Sequence, residues 1–176
     1  VAVDVAAESL TREFVAPLTL QTLSGRPVAT DTFDLTQESE IGHIKLADQA
    51  DVIVIAPATA NVLAKMATGL ADDLLSTVLL ATRAPVVVAP AMNVHMWEHP
   101  ATRSNLATLQ QRSVTVVGPG SGALACGYEG PGRLAELSDI VEARRLDDVL
   151  ERAAGIDRIT DCASTDGQAR DAVRSV

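Results

Sequence analysis

The apolar residues of the chain fall into short runs separated by segments of helical spacing. Four runs rich in β-branched residues predict buried strands at 1–6, 51–56, 85–89 and 114–117. Helical patterns lie at 9–23, with a break at Pro17, and at 59–68, 71–81, 94–109 and 139–153. Strands that alternate with helices predict an α/β protein with a parallel sheet covered on both faces. Ligands of such sheets bind at the carboxyl ends of the strands, so we expect the site in the loops after Ala56, Ala89 and Val117.

Composition and charge narrow the class of protein. The 176 residues, of which 47% are hydrophobic, predict one domain over 1–155, and a polar tail follows over 156–176. The net charge of -9 argues against nucleic acid and anionic membranes as partners, and no apolar stretch reaches the roughly 18–20 residues of a membrane span. Cys126 and Cys162 lie too far apart to indicate a disulfide framework or a zinc site, which favours a reducing, cytoplasmic setting.

Two predicted turns carry candidate binding groups. In PATANVLAKMATG, Pro57 ends a strand, and Thr59 or Asn61 caps a helix whose free N–H groups suit a phosphate or a flavin's polar rim. The alternative is an ordinary capped turn. In PAMNVHMW, the Asn93 amide suits a substrate carboxylate, and Met92, Met96 and Trp97 supply an apolar wall; alternatively, Asn93 only caps a helix.

Three further patterns bear on catalysis. His43 is placed to act as a base at a surface or subunit boundary, although a lone histidine in a loop is more often structural. The segment 118–133 is too rich in glycine for a helix or strand, which predicts a mobile flap. Cys126 near its centre is either a proton donor or a small apolar residue in a turn. HMWEH (95–99) matches a zinc motif, but Pro100 and the lack of a third ligand lead us to expect no metal.

Together, in order and spacing, these segments resemble the homo-oligomeric flavin-containing cysteine decarboxylases. That family includes phosphopantothenoylcysteine decarboxylases and the peptidyl-cysteine decarboxylases of lantibiotic-like peptides. The resemblance spans roughly residues 1–149 and is carried by PLTLQTLSG (17–25), GHIKLADQAD (42–51), APATANVLAKMATGLADDLLST (56–77), PAMNVHMWEHPATRSNL (90–106) and ACGYEGPGR (125–133).

The resemblance implies a flavodoxin-like, doubly wound parallel sheet in three α/β/α layers, FMN as cofactor, and a homotrimer or homododecamer. It matches His43 to the family's essential histidine, Asn93 to the asparagine that binds the substrate carboxylate, and Cys126 to the acid of the reductive half-reaction. The residues matched to the FMN lining are Thr59, Ala60, Asn61, Val62 and Ala91, and those matched to the flap that clamps substrate are Ala123, Leu124 and Ala125.

The chain also departs from the family pattern. The resemblance starts at the family's second strand, so the first βα unit, which helps to hold the FMN phosphate, is not in the printed sequence. Tyr128 stands where the pantothenate branch typically has Asp, and no synthetase domain follows. These departures favour a peptidyl-cysteine decarboxylase that forms an aminoenethiol. The alternatives are a 4'-phosphopantothenoylcysteine decarboxylase of coenzyme A biosynthesis and, more remotely, a flavin-poor regulatory subunit.

Overall fold

The computed structural model describes residues 5–6, 15–30, 42–125 and 127–143, and over residues 5–116 one or two helices separate successive strands. The strands are β1 (Val5–Ala6), β2 (Val28–Ala29), β3 (Ile53–Ala58), β4 (Val86–Pro90), β5 (Thr115–Val116), β6 (Gly120–Ala123) and β7 (Glu129–Arg133). The helices are α1 (Pro17–Ser24), α2 (Gly42–Gln49), α3 (Ala60–Thr68), α4 (Leu74–Ala81), α5 (Val94–Glu98), α6 (Pro100–Gln111) and α7 (Leu137–Ala143).

The central sheet is parallel and has the order β3-β4-β5 in the described residues. Ile53 pairs with Val86, and Val87 pairs with Thr115. A second parallel pair joins β1 to β2, and an antiparallel pair joins β6 to β7. The strands predicted at 51–56, 85–89 and 114–117 are therefore confirmed as β3, β4 and β5.

Helices cover both faces of β4. Successive side chains of a strand point to opposite sides, so Val88 and Ala89 report on one face each. Val88 is fully buried among side chains of α3 and α6, including Leu63 and Leu109. Its neighbour Ala89 is buried on the other face with Ile140 of α7. This two-sided burial explains the continuous apolar run of β4 and leaves the strand ends as the polar surface.

Caps set the bounds of α3 and α4. The Thr59 hydroxyl accepts a hydrogen bond from the Val62 N–H at 3.2 Å, and Gly69 ends α3 in the left-handed conformation with φ 73°. The helix predicted at 71–81 begins at Leu74, because Asp73 and Ser76 form a reciprocal capping box.

Within the described part of the chain, no helix combines the length and hydropathy needed to cross a membrane.

The single helix predicted over 94–109 is wrong, since the structure has two helices, α5 and α6. His99 separates them with extended backbone, and its Nδ1 accepts from the Ala101 N–H at 3.2 Å to cap α6. Pro100 fits the first position of α6, where no N–H is needed. His95 and His99 therefore do not share one helix, as the zinc motif requires.

The prediction that 118–133 forms neither helix nor strand is also wrong. β6 and β7 form an antiparallel hairpin in which Gly122 pairs with Gly130. Backbone groups alone make a ladder, so glycine weakens a strand without forbidding it. We call the segment 120–133 the glycine hairpin.

An ion-pair cluster ties the end of α3 to the start of α4. The Lys65 ammonium lies 2.6 Å from Asp72 and 2.5 Å from Asp73. Its hydrogen bonds to Asp72 and Asp73 raise the pKa of Lys65 above its ordinary value. Burial alone would raise the pKa of Asp73, but the hydrogen bonds from Lys65 and Ser76 outweigh burial and lower it. The charged forms therefore stabilise this junction.

We predict that Asp73→Ala lowers the free energy of unfolding by about 1–2 kcal/mol at neutral pH, since it removes a cap and an ion-pair partner. Asp73→Asn keeps a capping oxygen but replaces the charge, and the oxygen that accepts from Lys65, with a neutral NH2 group. Because the folded pKa of Asp73 is lowered, its stabilisation is present above about pH 4 and is lost as the pH falls through the lowered value. Asp73→Asn should therefore flatten the acid limb of stability measured by urea denaturation.

The matched control is Asp72→Asn, which removes a more exposed carboxylate with no capping role. We expect a change within about 0.5 kcal/mol. An acid limb that is identical in wild type and Asp73→Asn would contradict this assignment.

Candidate active site

Backbone hydrogen bonds bring three segments together at the carboxyl end of the central sheet. The Ala91 N–H donates to the Ala58 carbonyl at 3.1 Å, which joins the turn after β4 to the end of β3. The Met92 N–H donates to the Gly132 carbonyl at 2.9 Å, which joins the same turn to the glycine hairpin. The site predicted after Ala56 and Ala89 thus forms one continuous surface.

The start of α3 provides polar backbone groups at this surface. Thr59 caps the helix as predicted, and its hydroxyl engages the N–H of Val62, whose side chain is only 4% exposed and belongs to the core. Asn61 is an exposed second residue of the helix and not its cap. In the described residues, the first N–H groups of α3, at Ala60 and Asn61, have no intrahelical acceptor and point out of the helix end.

These features fit one edge of FMN. Two N–H donors at a helix N-terminus suit the carbonyl-rich rim of a flavin ring or a phosphate oxygen. Exposed Ala56 and Pro57 at the end of β3 supply a flat apolar surface beside them. The groups that fit FMN are the backbone and the small side chains of residues 56–61 and 91. None of these residues is assigned as a ligand of the FMN phosphate.

Asn93 caps α5 and lies in the turn that follows β4. Its Oδ1 accepts from the His95 N–H at 2.8 Å, which fixes the amide so that its NH2 group is the donor end. Capping by the Asn93 oxygen is thus confirmed. Met96 is 48% exposed, but Trp97 is 5% exposed and packs in the core, so the predicted apolar wall does not include Trp97.

His43 lies in α2 and not in a loop, which corrects the sequence-based placement. Ala47 of the same helix packs with Leu74 and Val78 of α4. The His43 Nδ1 atom is buried and has no hydrogen-bond partner among the described residues. A buried ring nitrogen without a partner is costly, so we expect a ligand or a residue outside the described ranges to complete it. The His43 Nδ1 atom therefore makes no hydrogen bond to Asn93.

The tip of the glycine hairpin is closed by backbone bonds. The Leu124 N–H donates to the Tyr128 carbonyl at 2.8 Å, and the Gly127 N–H donates to the Leu124 carbonyl at 2.9 Å. Ala123 and Ala125 are exposed and Leu124 is partly buried, so the three residues matched to the substrate clamp project from this tip. Cys126 lies outside the described residues.

Two glycines let the hairpin approach residues 91–93, which follow β4 and which we call the Asn93 turn. A Cβ at Gly132, where φ is +144°, would collide with the Met92 carbonyl oxygen, and one at Gly130 would lie 3.2 Å from a Val94 methyl. Sequence reasoning missed both residues. Their alternation in EGPGR was the available signal, because glycine in a strand often marks a close approach of backbone.

An aromatic contact was also missed. The Tyr128 ring meets the His95 ring edge to face, with centroids 5.1 Å apart and an interplanar angle of 74°.

Among the described residues, no cluster of three or more His, Cys, Asp or Glu side chains could hold a metal ion. The arrangement therefore consists of amide, imidazole and backbone donors around an apolar floor.

A family model described as Flavoprotein matches residues 1–145. Among curated proteins, the coenzyme A biosynthesis bifunctional protein CoaBC of Bacillus subtilis (strain 168) is 55% identical over 129 residues, which are 73% of this chain and 32% of that protein. The chain thus spans about a third of the length of the CoaBC relatives that it matches.

Two solved structures are similar over most of their length. A cysteine-to-serine mutant of PPC decarboxylase, complexed with pantothenoylaminoethenethiol, matches with a TM-score of 0.70 and 34% identity, covering 82% of each chain. The FMN-dependent cysteine decarboxylase SpaF matches with a TM-score of 0.67 and 31% identity, covering 85% of this chain and 79% of that one.

We predict that Gly132→Ala detaches the glycine hairpin from the Asn93 turn, because a Cβ has no room beside the Met92 carbonyl. The free energy of unfolding should fall by about 2–3 kcal/mol, the sum of backbone strain and overpacking. Gly127→Ala is the matched control, since φ there is +82° but the space is open, and it should cost only about 1 kcal/mol. Equal losses in the two variants, measured by urea denaturation, would show that the collision has no effect.

Proposed function

Because the chain belongs to the Flavoprotein family, we propose that it is an FMN-dependent cysteine decarboxylase that acts on 4'-phosphopantothenoylcysteine. The flavodoxin-like fold and the family expected from the sequence are confirmed by the family and structural matches. FMN and the decarboxylase class are likewise confirmed at the level of the family. The observation that carries the proposal is the single surface on which the start of α3, the Asn93 turn and the glycine hairpin meet.

The choice of substrate follows from the relatives. Identity is 55% with a coenzyme A biosynthesis protein and 31% with SpaF, which favours phosphopantothenoylcysteine over the peptide that the sequence analysis placed first. The lack of a following synthetase domain carries no weight, since the chain spans only about a third of CoaBC. Assembly as a homotrimer or homododecamer, a domain over 1–155 and a cytoplasmic location remain predictions.

In this proposal, Thr59, Ala60, Asn61, Val62 and Ala91 hold FMN, with Val62 contributing backbone only because its side chain is in the core. A simple α-amido carboxylate loses CO2 slowly because the carbanion has no electron sink. When bound there, FMN would supply a two-electron oxidation of the substrate's thiol-bearing carbon to a thioaldehyde, and the C=S group would be the sink for the electrons that CO2 leaves behind.

The protein's own residues orient the substrate and move protons. The Asn93 NH2 group holds the substrate carboxylate without the ion pair that would stabilise it against departure. The His43 imidazole, whose Nδ1 is buried without a described partner, accepts the proton released on oxidation or stabilises the resulting charge. Met96, half exposed beside the turn, and the tip residues Ala123, Leu124 and Ala125 cover the substrate.

Cys126 completes the saturated product in this proposal. Its thiol would donate one proton to the enethiol, and the two electrons would return with a second proton as a hydride equivalent, so the overall reaction is the loss of CO2 alone. The PPC decarboxylase structure, a cysteine-to-serine mutant that holds pantothenoylaminoethenethiol, supports this role. In a peptide-type enzyme the enethiol itself would be the product.

Mass spectrometry of the products tests the substrate. We expect the full-length polypeptide, supplied with FMN, to remove CO2 from phosphopantothenoylcysteine and to leave a peptide with a C-terminal Cys unchanged. Turnover of the peptide with loss of CO2 and two hydrogens, and none of phosphopantothenoylcysteine, would reverse the assignment. Protein that stays colourless after FMN is added would instead favour the regulatory subunit.

Asn93→Asp should abolish decarboxylation and keep the fold, because Asp still caps α5 while its charge repels the substrate carboxylate. We expect kcat/KM to fall at least about 100-fold. Asn93→Ser, which keeps a cap but lacks the amide, should lose activity without the repulsion. An unchanged kcat/KM in Asn93→Asp with intact stability would remove Asn93 from the site.

His43→Asn should lower kcat by roughly 100- to 10,000-fold, the range for a general base, with FMN still bound.

The Cys126→Ser variant should consume phosphopantothenoylcysteine but accumulate the enethiol, because it lacks the proton donor for the last step. Formation of the saturated thiol at the wild-type rate by Cys126→Ser would show that Cys126 is not the proton donor.

A further inference from the structure

Tyr128 connects the tip of the glycine hairpin to α5. Its carbonyl closes the tip through the Leu124 N–H, and its half-exposed ring meets His95 edge to face with centroids 5.1 Å apart. The same residue is where the chain departs from the Asp expected in the pantothenate branch. A ring at this position makes a contact that a carboxylate cannot make.

His95 contacts both parts of the proposed substrate site. Its backbone N–H donates to the Asn93 Oδ1 at 2.8 Å, and its ring contacts Tyr128. Its position is fixed because its neighbour Val94 and the nearby Trp97 are buried, at 9% and 5% exposure. The Asn93 amide and the hairpin tip thus both contact His95.

The base and the tip of the hairpin are held differently. At the base, the Met92–Gly132 backbone bond and the tight fit of Gly130 against Val94 leave little freedom. At the tip, Ala123, Ala125 and Gly127 are exposed. The position of the tip relative to Asn93 therefore depends on side-chain contacts such as the His95–Tyr128 pair.

We propose that His95 and Tyr128 form a latch that positions the hairpin tip beside Asn93 and so sets the affinity for substrate. The proposal rests on the proposed function. Both are positioning residues, since they act through Ala123, Leu124 and Ala125. The latch increases the fraction of free protein whose tip is already placed for binding, and apparent affinity rises in proportion to that fraction. Saturating substrate holds the tip by itself, so the latch acts on KM and leaves kcat unchanged.

The test uses the full-length polypeptide loaded with FMN and phosphopantothenoylcysteine as substrate. Tyr128→Ala and His95→Ala should each raise KM about 2- to 13-fold, the range that an edge-to-face pair is worth, with kcat within about twofold of wild type. Tyr128→Phe and His95→Phe keep two facing rings and should restore KM. The double variant, His95→Ala with Tyr128→Ala, should be no worse than either single variant.

A second readout does not depend on activity. Hydrogen exchange at the Leu124 amide, which bonds to the Tyr128 carbonyl, should accelerate in both alanine variants and return to the wild-type rate in the phenylalanine variants. Glu129→Gln, an exposed change on the same hairpin, is the matched control and should alter neither readout.

An unchanged KM with unchanged exchange, additive effects in the double variant, or a fall in kcat at constant KM would each overturn the latch. If no variant, including wild type, turns over phosphopantothenoylcysteine, the proposed function fails. The exchange data then still decide whether the pair holds the tip.

Discussion

Two consecutive N–H groups at the end of β4 hold the candidate site together. Ala91 donates to the end of β3 and Met92 donates to the glycine hairpin, so three segments far apart in sequence share one surface. Both N–H groups directly follow β4, whose side chains are buried on both faces of the sheet. The core therefore fixes the register of the site.

Asn93 shows how one residue serves both fold and chemistry. Its oxygen caps α5, and its NH2 group is the donor end that a carboxylate requires. Of the two readings that the sequence left open, capping is confirmed, and carboxylate binding remains a prediction. At Thr59 the hydroxyl oxygen likewise accepts from the Val62 N–H, and the hydroxyl hydrogen can still donate.

Sequence patterns predicted the parallel strands, a cap at Thr59 or Asn61, the end of α3 at Gly69 and the location of the site after β3 and β4. They did not predict the break at His99, because an apolar spacing of Val94, Trp97, Leu106 and Leu109 continues across it. They missed the hairpin, since its ladder uses backbone and its glycines respond to a neighbouring carbonyl. The His95–Tyr128 contact joins distant residues, which periodicity does not reveal.

The account depends on one claim, that a flavin ring and a cysteine carboxylate bind on the surface shared by the start of α3, the Asn93 turn and the glycine hairpin. A crystal structure of the full-length His43→Asn variant with FMN and phosphopantothenoylcysteine tests it most directly, since the substrate carboxylate should survive. We predict ring density against residues 57–62 and 91, with the carboxylate on the Asn93 amide under the hairpin tip. Ligand density elsewhere on the protein, with this surface empty, would contradict the account.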